Sequence, residues 1–251
     1  MSLAYPPRIS LVMPCAGDVP ARTVQSIMNL MSYSAVSGYP IMRSGITERT
    51  LIHQARNWGS SEFLKSGDDW IFWVDSDMVL EPKTLVVLMR HAETLGARML
   101  TGIYCQRMGE HKPIIAMRDL ALAESGAVKR VEDEYSAIFV SPERWDMPPF
   151  EVDAAGFGCM LIHRDVYKDM EYPYFRFVFH EDQKGKSDSY ISEDFYFCRQ
   201  ARKRGIKIYA VPELNCGHIG QAPVITRDDF KPDLSKTFRV NAVKKEQKET
   251  V

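Results

Sequence analysis

The residues best suited to chemistry stand where an apolar run ends. Trp70-Ile-Phe-Trp-Val74 leads straight into Asp75-Ser76-Asp77. A strand apolar on both faces belongs to a parallel sheet covered by helices on each side. The carboxyl ends of such strands are where ligands gather in open α/β sheets. Two aspartates at that edge repel each other unless a proton or a cation joins them. Mg2+ or Mn2+ is the natural cation, because Mg2+ binds one or two carboxylates together with substrate phosphates. The plain alternative is an acidic surface turn.

Two later segments bear on that choice. Ile191-Ser192-Glu193-Asp194 opens a helical pattern, with Ser192 placed as an N-cap. Acidic residues in a first helical turn stabilise the helix dipole, which is a structural reason for them. The chemical reason is that one of them serves as a general base toward an acceptor hydroxyl. Cys216-Gly-His218-Ile-Gly220 sets an imidazole between glycines, in a bare loop where it can complete a metal site or simply be solvated. The order of these features favours the chemical reading of each: strand and Asp-x-Asp, then Gly156-Phe157-Gly158, then Glu-Asp on a helix, then histidine after one more strand.

The elements that must position these groups follow from periodicity. Arg8–Pro14 reads as a buried strand feeding the loop Cys15–Asp18, and Ala21 to about Ser34 as a helix with Val24, Ile27, Met28 and Met31 at helical spacing. Tyr39–Arg43 reads as a strand. Thr47 is expected to open a second helix with Leu51, Ile52, Ala55 and Trp58 on one stripe. Pro82 suits the first turn of the next helix, which Gly96 closes, and Arg98–Tyr104 reads as a strand. Alternation of strand and helix through the first hundred residues is a doubly wound βαβ pattern. Lys112–Met117 and Ala127–Val131 read as short strands, Val140–Phe150 as a loop, and Ala154–Ile162 as a small-residue turn entering a strand. Tyr172–Tyr190 reads as an active-site loop, with Lys184, Gly185 and Lys186 a candidate lid over a diphosphate. Glu193–Arg204 reads as a helix and Ile206–Val211 as the last strand. One domain over residues 1–225 fits better than two, with 226–251 a tail or arm.

Composition narrows the class. With 32 Lys+Arg against 33 Asp+Glu the formal net charge is −1, so no whole-protein field steers the chain to nucleic acid. An apolar share of 45% and a charged share of 26% exclude a disordered or supercharged chain. No segment approaches the roughly 18–20 apolar residues of a membrane span, and the first eight residues do not resemble a signal peptide. The 5 cysteines form no CxxC, which disfavours a disulfide framework or zinc knuckle and points to a reducing cytoplasm.

On Ala55-Arg56-Asn57, Trp70–Pro82, Asp153–His163 and Ser192–Gly220, the sequence resembles the GT-A glycosyltransferases, close to family 2 and its small single-domain phage and bacterial relatives. With the first strand these stretches frame residues 8–220. The resemblance implies a mostly parallel doubly wound α/β sheet flanked by helices, with a small antiparallel insertion. It implies a nucleotide-sugar donor, UDP- or GDP-linked, held by Mn2+ or Mg2+ through Asp75, Asp77 and His218. Pro14, Cys15, Arg56, Asp75 and Ser76 fall to the nucleotide sugar, Asp194 to the general base, Glu193 to orienting the acceptor, and Gly156 and Phe157 to the acceptor pocket. Arg56 reads equally as a surface arginine, and Phe157 equally as core. The aromatics Trp73, Tyr104, Tyr174, Phe175 and Tyr190 read first as packing, and second as stacking surfaces for base or sugar.

A cation offsets the charge growing on a leaving diphosphate, and a carboxylate assists the attacking hydroxyl. A Gln-x-x-Arg-Trp signature of processive synthases is missing, which favours transfer of one sugar, with inversion if Asp194 is the in-line base. The acceptor stays open among small molecules, glycan ends, protein side chains and modified bases of phage DNA. Two other readings stand beside this one. A nucleotidyltransferase would need a basic glycine-rich loop after the first strand, where Cys15-Ala-Gly-Asp18 has none, and a non-catalytic nucleotide- or sugar-binding module would not need Asp75, Asp77, Asp194 and His218 together.

Overall fold

The computed structural model describes residues 6–48, 51–109, 111–118, 135–137, 146–179, 190–220 and 224–226. Its centre is a 7-stranded sheet. The strands are β1 (Ile9–Cys15), β2 (Ile41–Glu48), β3 (Trp70–Val74), β5 (Met99–Ile103), β8 (Phe150–Val152), β10 (Cys159–His163) and β13 (Ile208–Asn215), in the order β2-β1-β3-β10-β5-β13-β8. Strands β2, β1, β3, β5 and β13 run one way, whereas β10 and β8 run against them. The sheet is thus mostly parallel, as expected. Within it β10 runs antiparallel in the middle, between β3 and β5, and the small antiparallel piece expected beside the main sheet is a separate 3-stranded sheet.

Helices cover both faces. On one side α1 (Ala21–Val36) and α3 (Thr84–Leu95) pack Ile27, Leu30, Leu85, Leu88 and Met89 against Ile9, Leu11, Phe72 and Val74. On the other, α2 (Ile52–Ser66) and α4 (Glu193–Lys203) pack Phe63, Phe197 and Cys198 against Val12, Ile71 and Trp73. This explains the unbroken apolar run in β3: Phe72 and Val74 serve one layer, Ile71 and Trp73 the other. Burying each such side chain is worth about 1.5–3 kcal/mol.

The second helix differs from expectation. Thr47 belongs to β2, paired with Pro14, and α2 begins at Ile52. The stripe predicted to be buried faces outward in part, with Leu51 63% and Trp58 56% exposed. The buried face instead carries Ala55, Arg56, Asn57, Gly59, Ser60 and Phe63. Small residues are required there: a Cβ on Gly59 would lie 2.8 Å from both Trp73 Cη2 and Val12 Cγ1.

Short pieces complete the frame. A 3-stranded sheet joins β6 (Ile115–Arg118), β7 (Tyr135–Ala137) and β9 (Ala154–Ala155). Of the active-site loop expected over Tyr172–Tyr190, β11 (Val178–Phe179) pairs with β12 (Tyr190–Ile191), while Phe175 is fully buried and stacks on Phe197 at 4.7 Å, so that part is core rather than loop. Lys184–Lys186, the strand expected at Ala127–Val131, most of the loop expected at Val140–Phe150 and nearly all of the tail lie outside the described residues. No described helix is long and apolar enough to cross a membrane. The cysteines are buried free thiols.

Candidate active site

The site forms at the carboxyl ends of β1 and β3. A cleft of about 350 Å3 opens there, with Pro14 and Cys15 from the end of β1 and Ile52 and Ala55 from the first turn of α2. Asp75, Ser76, Asp77, Arg107 and His218 complete its walls. Pro14 and Cys15 therefore sit within the strand rather than in a loop after it, and both line the cleft. Pairing of β1 with β3 stops at Val12, so Pro14, which has no N–H to give, lies beyond that ladder.

A two-residue ladder brings the distant motifs together. β4 (Met78–Val79) pairs with β14 (Gly217–His218), setting His218 opposite Met78, and Ile219 N–H donates to the Asp77 carbonyl at 2.8 Å. His218 Nε2 consequently lies 3.2 Å from Asp77 Oδ2. The other ring nitrogen, Nδ1, is 2.8 Å from the Cys105 carbonyl. A carbonyl only accepts, so Nδ1 carries the proton and Nε2 is the nitrogen presented to Asp77. Arg107 Nη1 also donates to Asp77 Oδ2, at 2.8 Å. Burial opposes the charge on both partners, but their mutual hydrogen bond and attraction prevail: Asp77 is held below the usual carboxylate range and His218 above the usual imidazole value, with Arg107 adding to the effect on Asp77.

Asp75 turns the other way. Its Oδ1 accepts from Arg56 Nη2 at 2.9 Å, and Arg56 Nε donates to Glu193 Oε1 at 3.2 Å. Arg56 is not a surface residue: its side chain is 2% exposed, with its guanidinium 5.5 Å over the Trp73 ring and 5.3 Å over Phe157. Burial disfavours its charge, yet Asp75 and Glu193 more than compensate and hold it protonated. Arg56 does not line this cleft, contrary to the expectation that it faces the diphosphate. It ties the end of β3 to the start of α4 beneath it.

The acidic pair on α4 divides its work. Glu193 is buried on Arg56, whereas Asp194 keeps partial solvent access. Ser192 is the N-cap residue, but its hydroxyl donates to Asp194 Oδ1 rather than accepting from the helix, and Phe195 N–H donates to the same oxygen at 2.8 Å. Desolvation, with the Glu193 charge adding to it, pushes Asp194 up to about 7 against the opposing pull of Ser192 and Arg56. A carboxylate poised there suits proton abstraction near neutral pH.

The Gly156–Gly158 turn has a packing role. Tyr104 is buried and its hydroxyl accepts from Gly158 N–H at 2.9 Å; a Cβ on Gly156 would fall 2.1 Å from the Tyr104 oxygen, and one on Gly158 2.7 Å from Cζ. Phe157 is fully buried among Phe175 and Phe197, so it is core and not an acceptor contact, a correction that follows from its aromatic packing. Gly156 is filled by Tyr104 rather than left open for a ligand. Trp73 and Phe175 are likewise core. Tyr104 reaches further: its ring meets that of His218 edge-on at 5.5 Å. Sequence reasoning missed Arg107; its only signal is its position just past the end of β5.

For the cation, the structure joins two of the three expected ligands. Asp77 and His218 form a pair, whereas Asp75 is engaged by Arg56, and among the described residues no group of three or more His, Cys, Asp or Glu converges on one ion. The donor types suit a divalent cation, since a carboxylate and an oriented imidazole nitrogen face each other on an open cleft, and a cation there would compete with Arg107 for Asp77 Oδ2.

The family model described as "Glycosyltransferase like family 2" matches residues 44–242. The chain belongs to that family. This glycosyltransferase is also similar to the crystal structure of A197 from STIV, at 16% identity and a TM-score of 0.54, over 93% of this chain and 98% of that one. It is similar as well to GalNAc-T7 crystallised with UDP, GalNAc and Mn2+, at 13% identity and a TM-score of 0.54, covering 88% of the glycosyltransferase but 45% of GalNAc-T7. At such identities the likeness is one of fold, the GT-A type. No curated protein sequence matches the chain.

Proposed function

We propose that the glycosyltransferase moves one sugar from a UDP- or GDP-linked donor to an acceptor hydroxyl, with inversion and without processivity. In this reading Mn2+ or Mg2+ is held at Asp77 and His218, and Asp194 is the general base. The observation that carries it is the approach of His218 Nε2 to within 3.2 Å of Asp77 Oδ2 on the rim of the cleft. The presence of UDP, GalNAc and Mn2+ in the GalNAc-T7 structure supports the same donor chemistry.

The chain's own groups account for each requirement. Pro14, Cys15 and Ser76 wall the cleft where the nucleotide enters, and Arg107 stands by to meet phosphate charge. The cation, once bound, supplies positive charge to the diphosphate leaving group. His218 is ready for it because the Cys105 carbonyl fixes the Nδ1 proton and leaves Nε2 to ligate. Arg56 holds Asp75 and Glu193 in one buried unit, so the donor end of β3 and the α4 carboxylates cannot drift apart. Asp194, raised by burial, takes the acceptor proton.

The test is thermal unfolding with a panel of nucleoside diphosphates and their sugars, with and without Mn2+. Binding at roughly 100 times Kd stabilises by about 2.7 kcal/mol, a readily measured shift. One nucleotide series should stabilise the wild type only with Mn2+, and Asp77→Ala should abolish that dependence. A metal-independent shift that survives Asp77→Ala would refute the assignment.

A further inference from the structure

A second cleft, of about 250 Å3, runs beside α4 and shares no residue with the donor cleft. It is lined by Arg118, Tyr135, Asp153, Arg199, Arg202 and Lys203. Its charge is lopsided, and its one carboxylate is already committed. Asp153 accepts from Arg202 Nε at 3.0 Å and from the Arg118 backbone N–H at 2.8 Å, while Arg202 also pairs with Glu151. Arg199 and Lys203 have no carboxylate partner among the described residues. Arg199 Nε is moreover buried with nothing accepting its proton. A buried donor left in that state carries an uncompensated desolvation cost. An oxyanion removes the cost, and a guanidinium fork with an ammonium beside it matches phosphate best.

The cleft is aligned with the base. Phe195, Arg199 and Arg202 are spaced to share one stripe of α4. Tyr135, which lines the cleft, packs edge-on against Phe195 at 5.2 Å, and Phe195 N–H is bonded to Asp194. At 1.5 Å per residue, Arg199 to Lys203 lie about 8–14 Å along the helix from Asp194. A molecule with its hydroxyl at Asp194 would reach them with an anionic group about that far away.

We propose that this cleft holds a phosphate group of the acceptor, so that the glycosyltransferase acts on a phosphorylated acceptor. The inference rests on Asp194 being the base. The probe is inorganic phosphate, titrated calorimetrically into the full chain with Mn2+ and the nucleoside diphosphate that stabilises it, which fill the donor cleft. Phosphate should bind once, and Arg199→Gln/Lys203→Gln should weaken it by roughly tenfold or more, as loss of a charge-assisted hydrogen bond does. Among the described residues neither substitution breaks an ion pair, and Lys203→Glu alone should weaken binding too. Arg107→Gln, in the donor cleft, should leave it intact. Equal phosphate affinity in wild type and double variant, or none in the wild type, overturns the proposal. Absence of any nucleotide shift would instead overturn the donor reading, so the two failures are distinct. Phosphate belongs here as part of an acceptor, so hydrolysis of the donor by water should be indifferent to free phosphate. A rate that changes as the cleft fills makes the anion a regulator and overturns the acceptor assignment.

Discussion

Replacing Arg56 with methionine probes whether one buried charge holds the site together. The substitution keeps an apolar stem and removes the guanidinium that joins Asp75, 26% exposed, to Glu193, 8% exposed. Breaking a buried ion pair by removing one partner costs about 3–5 kcal/mol, because the other charge stays buried and uncompensated. Two features refine that range. Arg56 Nη1 is buried with no acceptor, a burden of roughly 1–3 kcal/mol that the substitution lifts. Against it, contacts over the Trp73 and Phe157 rings are lost, worth roughly 0.5–2 kcal/mol. The two nearly cancel, and partial exposure of Asp75 lets water take up part of its charge, so the lower end, about 3 kcal/mol, is expected.

Urea unfolding measures this directly, with an unchanged m-value showing that the unfolded reference is the same. Arg56→Met/Glu193→Gln should recover part of the loss, since a neutral amide needs no counter-charge; a coupling of about 0.5–3 kcal/mol is the range for residues in contact. A single variant within about 1 kcal/mol of wild type, the weight of an exposed pair, would refute the argument. So would a double variant whose loss equals the two single losses added together.

Asp194 sets a pH dependence. Its base form is lost as pH falls below about 7, so metal-dependent donor hydrolysis should rise through that value and Asp194→Asn should abolish it while donor binding persists. The same raised value makes its stabilising contribution full below the unfolded pKa of about 3.9 and lost as pH rises through about 7; Asp194→Asn should flatten that part of the stability profile, and a pH-independent hydrolysis rate would contradict the assignment. Gly59→Ala should destabilise by about 1–3 kcal/mol, since its Cβ would press within 2.8 Å of Trp73 and Val12. An unchanged unfolding midpoint would mean that α2 moves off the sheet at no cost.

The legible and illegible parts of the sequence divide along physical lines. The β3 run could be read because a strand buried on both faces must be apolar throughout, and α1, α3 and α4 because each buries a periodic face. Helix α2 was misplaced because its buried face is built for closeness rather than apolarity: Ala55, Gly59 and Ser60 let it approach Trp73, and Arg56 and Asn57 are buried with hydrogen bonds. Periodicity that counts large apolar residues finds Leu51 and Trp58 instead, which are exposed. Phe157 reads equally as acceptor contact and as core for the converse reason: nothing in Gly-Phe-Gly tells a ring aimed at a pocket from one aimed at Phe175 and Phe197.

The order of motifs points to residues that the fold brings to one cleft, but local spacing does not say how the motif divides. Asp75 and Asp77 are separated by one residue in a turn closed by Met78 N–H donating to the Asp75 carbonyl at 3.1 Å, and their side chains find different partners. Asp75 faces Arg56 and, through it, the α4 carboxylates; Asp77 faces His218 and Arg107 at the cleft. In the proposed reaction one turn thereby serves both halves of the transfer, with Asp75 tied through Arg56 to the α4 carboxylates and Asp77 facing the cleft proposed for the donor. Partners from α2, α4, β14 and the segment after β5 make that division, and all of them are far from the turn in sequence, so its local spacing carries no trace of them.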